Sequence, residues 1–250
     1  MDFKNKTALI TGSGQGVGRG IALALSGHGA NVALVGRTLS KVESVAEEIN
    51  SKGGSAIAIE CDVKHKDSIQ SAVELTISKF SSMNFLVNNA QEVPLGNLLQ
   101  VSEESYEAGW LSGPMATFRF MRMCHPHLKG GGKIINLASS SALRADSEGY
   151  GAYASVKEAI RSISRTAAVE WGPDKILVNC IMPLAKSSGM EWWMNERPEE
   201  AAEFVKTIPL GKVGDCQEDI GEAVCHLFSD GMSYITGSTI MLDGGQAFLR

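Results

Sequence analysis

Tyr153 and Lys157 stand four residues apart in the run Tyr153-Ala154-Ser155-Val156-Lys157. On a helix that spacing puts both side chains on one face, where the ammonium favours the phenolate. A free tyrosine titrates at about 10 and is a poor base near neutrality, so a nearby cation is what proton transfer by a phenol requires. Ser140 lies thirteen residues before Tyr153, just past an apolar run, where its hydroxyl can hold a substrate oxygen beside the phenol. The set reads as an acid/base site. The same residues would also make a solvated helix face behind a serine-rich turn at 139–141, and what decides is the company they keep.

That company is a glycine-rich turn near the start of the chain, Thr11-Gly12-Ser13-Gly14-Gln15-Gly16-Val17-Gly18, followed by Ile21, Ala22, Leu23 and Leu25. The pattern is TGxxxGxG rather than GxGxxG. Gly12 permits a tight turn, Gly16 lets the backbone approach a pyrophosphate, Gly18 allows close packing of the helix, and the helix N-terminus offers unpaired N–H groups to an anion. The alternative is a turn that merely joins strand to helix. At the end of the second apolar run, where an NAD site usually carries an acid for the ribose 2′-hydroxyl, the chain reads Val35-Gly36-Arg37-Thr38. Arg37 can grip a 2′-phosphate in a forked contact and Thr38 can add a hydroxyl, which favours NADP(H). NAD(H) held through backbone groups, with Arg37 solvated, remains the other reading. Asp62 and Val63, at the end of the third run, fit an adenine contact, and Asp62 fits an N-cap equally.

These residues need a scaffold that brings strand ends together. Short β-rich apolar runs alternate with stretches of helical period from Thr7 nearly to the C-terminus, which predicts a parallel sheet. Strands are expected at 7–11, 31–36, 55–60, 85–88, 132–137, 176–181 and 239–242, and a long helix at 153–171. The strands are continuously apolar, so helices should cover both faces. A doubly wound α/β/α sandwich of the Rossmann kind follows, in a single domain over 1–250. The rhythm breaks at 183–209, rich in Pro, Glu, Met and Trp. This is a candidate lid (about 184–209) at a strand end, the place where ligands bind in such folds. Its Met190, Trp192, Trp193 and Met194 can close over a hydrophobic substrate or form a subunit contact.

Composition excludes several function classes. A net charge of −5 with no basic run argues against nucleic acid, and 44% hydrophobic with 20% charged residues fits a soluble globular protein. No stretch reaches membrane-spanning length, and the N-terminus lacks the apolar core of a secretory signal. Five scattered cysteines (Cys61, Cys124, Cys180, Cys216, Cys225) without a CxxC pair read as reduced thiols in a cytoplasm, with no metal site. His125 and His127 flank Pro126 and are expected at the surface.

Together Thr11 to Gly18, Asn88-Asn89-Ala90, the Ser140/Tyr153/Lys157 set, and Tyr234-Ile235-Thr236-Gly237 with Asp243-Gly244-Gly245 resemble the short-chain dehydrogenase/reductase family over essentially the whole chain. The resemblance implies a nicotinamide-dependent interconversion of alcohol and ketone, with Lys157 on the nicotinamide ribose and Asn89, Ala90 and Gln91 lining the cofactor. It further implies that 181–188, including Pro183, Leu184, Ala185 and Ser188, flanks the carboxamide, and that the chain is a homodimer or homotetramer. On the substrate side the candidates are Gln91, Ser140, Tyr150, Met190 and Trp193, and the apolar lid cluster suggests a large lipophilic ketone or secondary alcohol, steroid-like, bile-acid-like or fatty acyl.

Three positions depart from the family pattern. Gln91 and Leu184 stand where glycine is usual and should narrow the pocket. Gly113, in Trp110-Leu111-Ser112-Gly113-Pro114, stands where the family has an Asn that holds a relay water. Gly-Pro should kink the helix; Ser112 or a freed main-chain carbonyl are the candidate substitutes. Tyr150, almost on the face of Tyr153, resembles the enoyl-thioester reductase arrangement and otherwise serves as a pocket wall. The rivals to the carbonyl reading are therefore a β-ketoacyl or enoyl thioester reductase and a dinucleotide-binding regulator without turnover.

Overall fold

The computed structural model describes residues 1–143 and 148–247. Seven strands, β1 (Thr7–Thr11), β2 (Asn31–Gly36), β3 (Ser55–Glu60), β4 (Phe85–Asn88), β5 (Lys133–Leu137), β6 (Leu177–Pro183) and β7 (Thr239–Leu242), form one sheet in the order β3-β2-β1-β4-β5-β6-β7. Every pairing is parallel. The chain runs outward from β1 to β3 and then returns to β4 beside β1. That reversal leaves a crevice at the carboxyl ends of β1 and β4, the place where such sheets bind ligands.

Side chains of β1 show why both faces must be covered. Ala8 and Ile10 enter one core with Ile21, Leu25, Val224 and Phe228. Leu9 enters the other with Ile69, Phe120 and Ala167. Helices α1 (Gly16–Gly27), α2 (Leu39–Ser51) and α9 (Glu222–Phe228) close the first face, and α3 (Lys66–Phe80), α5 (Ala116–Leu128) and α6 (Gly151–Glu170) the second. The expected single-domain sandwich is therefore observed. Strand bounds differ by a residue or two. The Gly132 N–H closes α5 by donating to the Leu128 carbonyl, so β5 begins at Lys133. β6 runs on to Pro183 because β7 pairs with its end.

Two helices are interrupted by π-helical turns. Helix α4 (Glu103–Trp110) starts at Ser102, whose hydroxyl accepts from Ser105 N at 3.1 Å, with Glu103 and Glu104 suited to the first-turn dipole. It passes through a π-helical turn, Leu111–Met115, into α5. Pro114 lies inside that turn, so the sequence expectation of a kink is met by a π-bulge. A second such turn, Cys216–Gly221, precedes α9 and begins at Asp215, whose carboxylate accepts from Gln217 N and Glu218 N at 2.7 and 2.9 Å. The 183–209 segment folds into α7 (Ser188–Glu196) and α8 (Pro198–Lys206).

Candidate active site

The loops after β1 and β4 are tied together before any ligand arrives. Thr11 Oγ1 accepts from the N–H groups of Asn89 and Ala90 at 2.9 and 3.0 Å, and Asn89 Nδ2 donates back to the carbonyls of Thr11 and Gly12 at 2.9 and 3.0 Å. Gly12 has φ +66 and Gly16 φ +55, left-handed conformations that favour glycine. A Cβ on Gly18 would stand 2.6 Å from Asn89 Nδ2, so the residue serves close packing. Ser13 is buried, its hydroxyl 3.4 Å from the Val35 carbonyl. Gly18 and Ser13 thus frame the turn, whereas Gly12, Gln15, Gly16 and Val17 line a cavity of about 620 Å³. No side chain caps the N-terminus of α1 and no acid occupies its first turn. Gly16 and Val17 at that N-terminus line the cavity, so an anion there would meet a helix N-terminus, which fits the pyrophosphate of a dinucleotide.

At the far end of the cavity are Arg37, Thr38, Asp62 and Val63. The Thr38 hydroxyl caps no backbone group although it stands at the N-cap of α2. Asp62 lines the cavity and also caps the turn that follows it, accepting from Lys64 N at 3.0 Å. Glu92, which sequence reading missed, holds two cations on one oxygen: Arg37 Nη1 at 2.7 Å and Lys64 Nζ at 2.8 Å. Nothing in the local sequence pairs positions 37, 64 and 92; only the adjacency of three strand ends does.

Tyr153 and Lys157 open α6 and both line the same cavity. Lys157 is 3% exposed and donates to the Leu137 carbonyl at 2.7 Å, with Nζ 5.6 Å from the Tyr153 ring centroid. Burial lowers its pKa to about 8, an effect that nearby Cys180 opposes. Burial pushes Tyr153 up to about 12; the Ser139 hydroxyl pulls it back and Tyr150 adds to the rise. The serine beside the phenol is thus Ser139, and the choice of Ser140 is corrected. Ser139 is at the cavity and N-caps the short turn Ser140–Ala142, accepting from Ser141 N at 3.2 Å, whereas Ser140 lies within that turn and off the cavity wall. Counting back from Tyr153 crosses the whole connection between β5 and α6. Counting forward two residues from the end of β5 would have found it.

The departures at 91 and 113 meet each other. Gln91 turns its amide into the π-helical turn, donating to the Gly109 carbonyl at 2.8 Å. The Ser112 hydroxyl is already committed, donating to the Ala108 carbonyl at 2.7 Å and accepting from Glu92 N at 2.9 Å. The two groups expected to stand in at Gly113 are thus both engaged in hydrogen bonds, Ser112 with Ala108 and Glu92 and the Gly109 carbonyl with Gln91. Of the remaining predicted contacts, Asn89, Ala90, Gln91, Pro183, Leu184, Ala185, Ser188 and Met190 line the main cavity. Trp193 does not; it packs edge-on against Phe204 at 5.7 Å, joining α7 to α8. Tyr150 lines a second cavity of about 390 Å³ with Leu98, Leu143 and Ala154, and its ring lies 6.3 Å from that of Tyr153. His127 is exposed, while His125 is partly exposed, its side chain 20% accessible, 2.9 Å from Asp174 and against Trp171. No cluster able to hold a metal occurs among the described residues.

A family model described as enoyl-(acyl carrier protein) reductase matches residues 12–247. The 12alpha-hydroxysteroid dehydrogenase of Clostridium sp. (strain ATCC 29733 / VPI C48-50) is 37% identical over 97% of each chain. Among solved structures, a 7 alpha-hydroxysteroid dehydrogenase complexed with NADH and 7-oxo glycochenodeoxycholic acid superposes with TM-score 0.92 at 26% identity, covering 98% of this chain and 96% of that one. A short chain dehydrogenase from Burkholderia cenocepacia J2315 in complex with NADP gives 0.91 at 26%, covering 98% and 99%. With the parallel sheet, the glycine turn and the tyrosine–lysine pair in place, the chain belongs to the short-chain dehydrogenase/reductase family. It is a nicotinamide-dependent oxidoreductase acting on CH–OH groups.

Proposed function

We propose that this chain is an NADP(H)-preferring oxidoreductase that interconverts a secondary alcohol and a ketone on a hydrophobic, steroid-like substrate. The observation that carries the reading is the pair of neighbouring tyrosines, Tyr153 in the wall of the long cavity and Tyr150 in the wall of the second. A substrate lying along Tyr150 presents its oxygen to Tyr153. A nicotinamide dinucleotide held along the cavity beside Tyr153 and Lys157 would supply hydride for reduction of the carbonyl carbon and accept it in oxidation. Tyr153, protonated at neutral pH, gives its proton to the substrate oxygen, which the Ser139 hydroxyl orients, and Lys157 supplies the positive charge behind the phenol. The hydroxysteroid dehydrogenases above support a fused-ring substrate. Leu98 and Leu143 around Tyr150 supply an apolar wall, and Met190 in the wall of the main cavity supports reading 184–209 as a lid. The unpaired cysteines support a reducing, cytoplasmic setting. Exposed Tyr106, Trp110 and Phe118 on α4 and α5 support self-association as a homodimer or homotetramer.

For the cofactor, Arg37 and Lys64 are the residues that would hold a 2′-phosphate, which would displace their present partner Glu92. Titrating NADPH and NADH into the protein tests this. NADPH is expected to bind roughly ten-fold tighter or more, and Arg37→Ala to remove the preference; tighter NADH binding in the parent would sink the phosphate reading. The enzyme reading is tested by following NADPH oxidation with fused-ring ketones. A second reading, a thioester reductase, is favoured by the description of the matching family model and by the Tyr150 ring beside Tyr153. Turnover of acyl thioesters without turnover of any ring ketone would establish it instead.

A further inference from the structure

One side chain joins the loop after β4 to the helix turn at Gly113. Gln91 Nε2 donates to the carbonyls of Gly109 at 2.8 Å and Glu92 at 2.7 Å, with Ser112 Oγ at 3.4 Å. Two carbonyl oxygens on one side of the amide fix its orientation, because turned over it would set oxygen against oxygen. Pro114 brings no N–H to the helix, so the preceding turn is short of a donor. Gln91 supplies one. Its Oε1 is buried and has no hydrogen-bond partner among the described residues. A Cβ on Gly113 would stand 2.9 Å from both Cδ and Nε2 of Gln91, and nearer still to Oε1. Glycine at 113 therefore admits Gln91, and Gln91 fills the volume that a side chain at 113 would take.

From this reciprocal fit we propose that Gln91 is a positioning residue of the proton-transfer site. It locks the loop bearing Asn89 and Ala90 to the π-helical turn that packs on α6, and so fixes Tyr153 and Lys157 against the cavity wall. An unpaired buried acceptor is costly and rarely retained without a use. Here the cost accompanies a contact that ties the loop after β4 to the turn packed on α6. The inference rests on reading Tyr153 and Lys157 as the proton-transfer pair.

The test is a reciprocal exchange: Gln91→Gly, Gly113→Asn, and the two combined. Asn at 113 places an amide in the vacated space from the opposite side. Each single change is expected to lower kcat/KM for ketone reduction by roughly ten-fold or more and to shift the alkaline limb of the pH profile, whereas the double variant recovers to within roughly five-fold and regains the limb. A double variant whose loss is the product of the two single losses would overturn the lock. Single variants that lose thermal stability but keep the parent pH profile would overturn the positioning role. Coupling is read as well in unfolding midpoints and in the NADPH dissociation constant, neither of which needs turnover. Tyr153→Phe is assayed in parallel: an active Tyr153→Phe protein refutes the acid/base reading and the positioning role with it, while leaving the measured coupling between 91 and 113 as a separate result.

Discussion

A phenol pushed up to about 12 and an ammonium lowered to about 8 are both consequences of one fact, the burial of the start of α6 against the ends of β5 and β6. The phenol is therefore in its proton-donating form at neutral pH, and the cation that steadies it disappears on the alkaline side. Ketone reduction is expected to lose kcat/KM as pH rises through about 8, and the Lys157→Met variant to lack that limb while losing most of its rate; a parent profile flat to pH 10 would contradict the assignment. Ser139→Ala is expected to lower kcat by about 10²-fold or more and Ser140→Ala by only a few-fold, because the Ser139 hydroxyl is at the cavity beside the phenol and Ser140 does not line that cavity. The opposite ranking would restore Ser140. Tyr153→Phe should abolish reduction and Tyr150→Phe should mainly raise KM, since Tyr150 lines the second cavity.

Elements place these residues through contacts that tolerate no added atom. Helix α1 crosses the π-helical turn Cys216–Gly221 so closely that a Cβ on Gly20 would lie 2.7 Å from Gln217 N and inside the Cys216 carbonyl. Because the obstacle is backbone, the cost cannot be relieved by a rotamer. Gly20→Ala is expected to destabilise the protein by about 2 kcal/mol or more, measured by urea unfolding, and to weaken dinucleotide binding by moving the N-terminus of α1. An unchanged midpoint would mean the helix can shift freely. By contrast Gly27, at the far end of the same helix, would meet nothing within 4 Å, and Gly27→Ala makes a matched control.

Over the whole molecule the buried lysine has a cost that depends on pH. Its folded pKa is depressed from 10.5 to about 8. Below about 8 the folded chain must hold a buried ammonium, and between about 8 and 10.5 it sheds the proton that the unfolded chain keeps. Stability therefore rises with pH across that window, by about 3 kcal/mol at most. Five thiols act in the other direction above about pH 9, since burial raises the pKa of each and the folded state retains protons that the unfolded state loses. Tyr153 does the same between 10 and about 12. The lysine contribution is isolated by subtracting the Lys157→Met stability profile from that of the parent. The difference should rise from pH 8 upward, and a flat difference would show that Lys157 is hydrated in the folded protein.

The sequence by itself determined the architecture and the chemical vocabulary. Continuous apolar strands alternating with helical periods require a parallel sheet covered on both faces. A glycine turn after β1 and a tyrosine and lysine at i, i+4 are local patterns, legible because each depends on neighbours a few residues away. What only the tertiary structure decided lies where distant segments meet. Ser139 rather than Ser140 reaches the phenol because the turn after β5 directs it there. Arg37 and Lys64 share Glu92 across three strand ends, and partly exposed His125 meets Asp174 and Trp171. Gln91 occupies the room that Gly113 leaves. Spacing along a helix fixes direction at short range, but no periodicity encodes which loops adjoin once the sheet has reversed its order, and there the packing of one backbone on another sets the outcome.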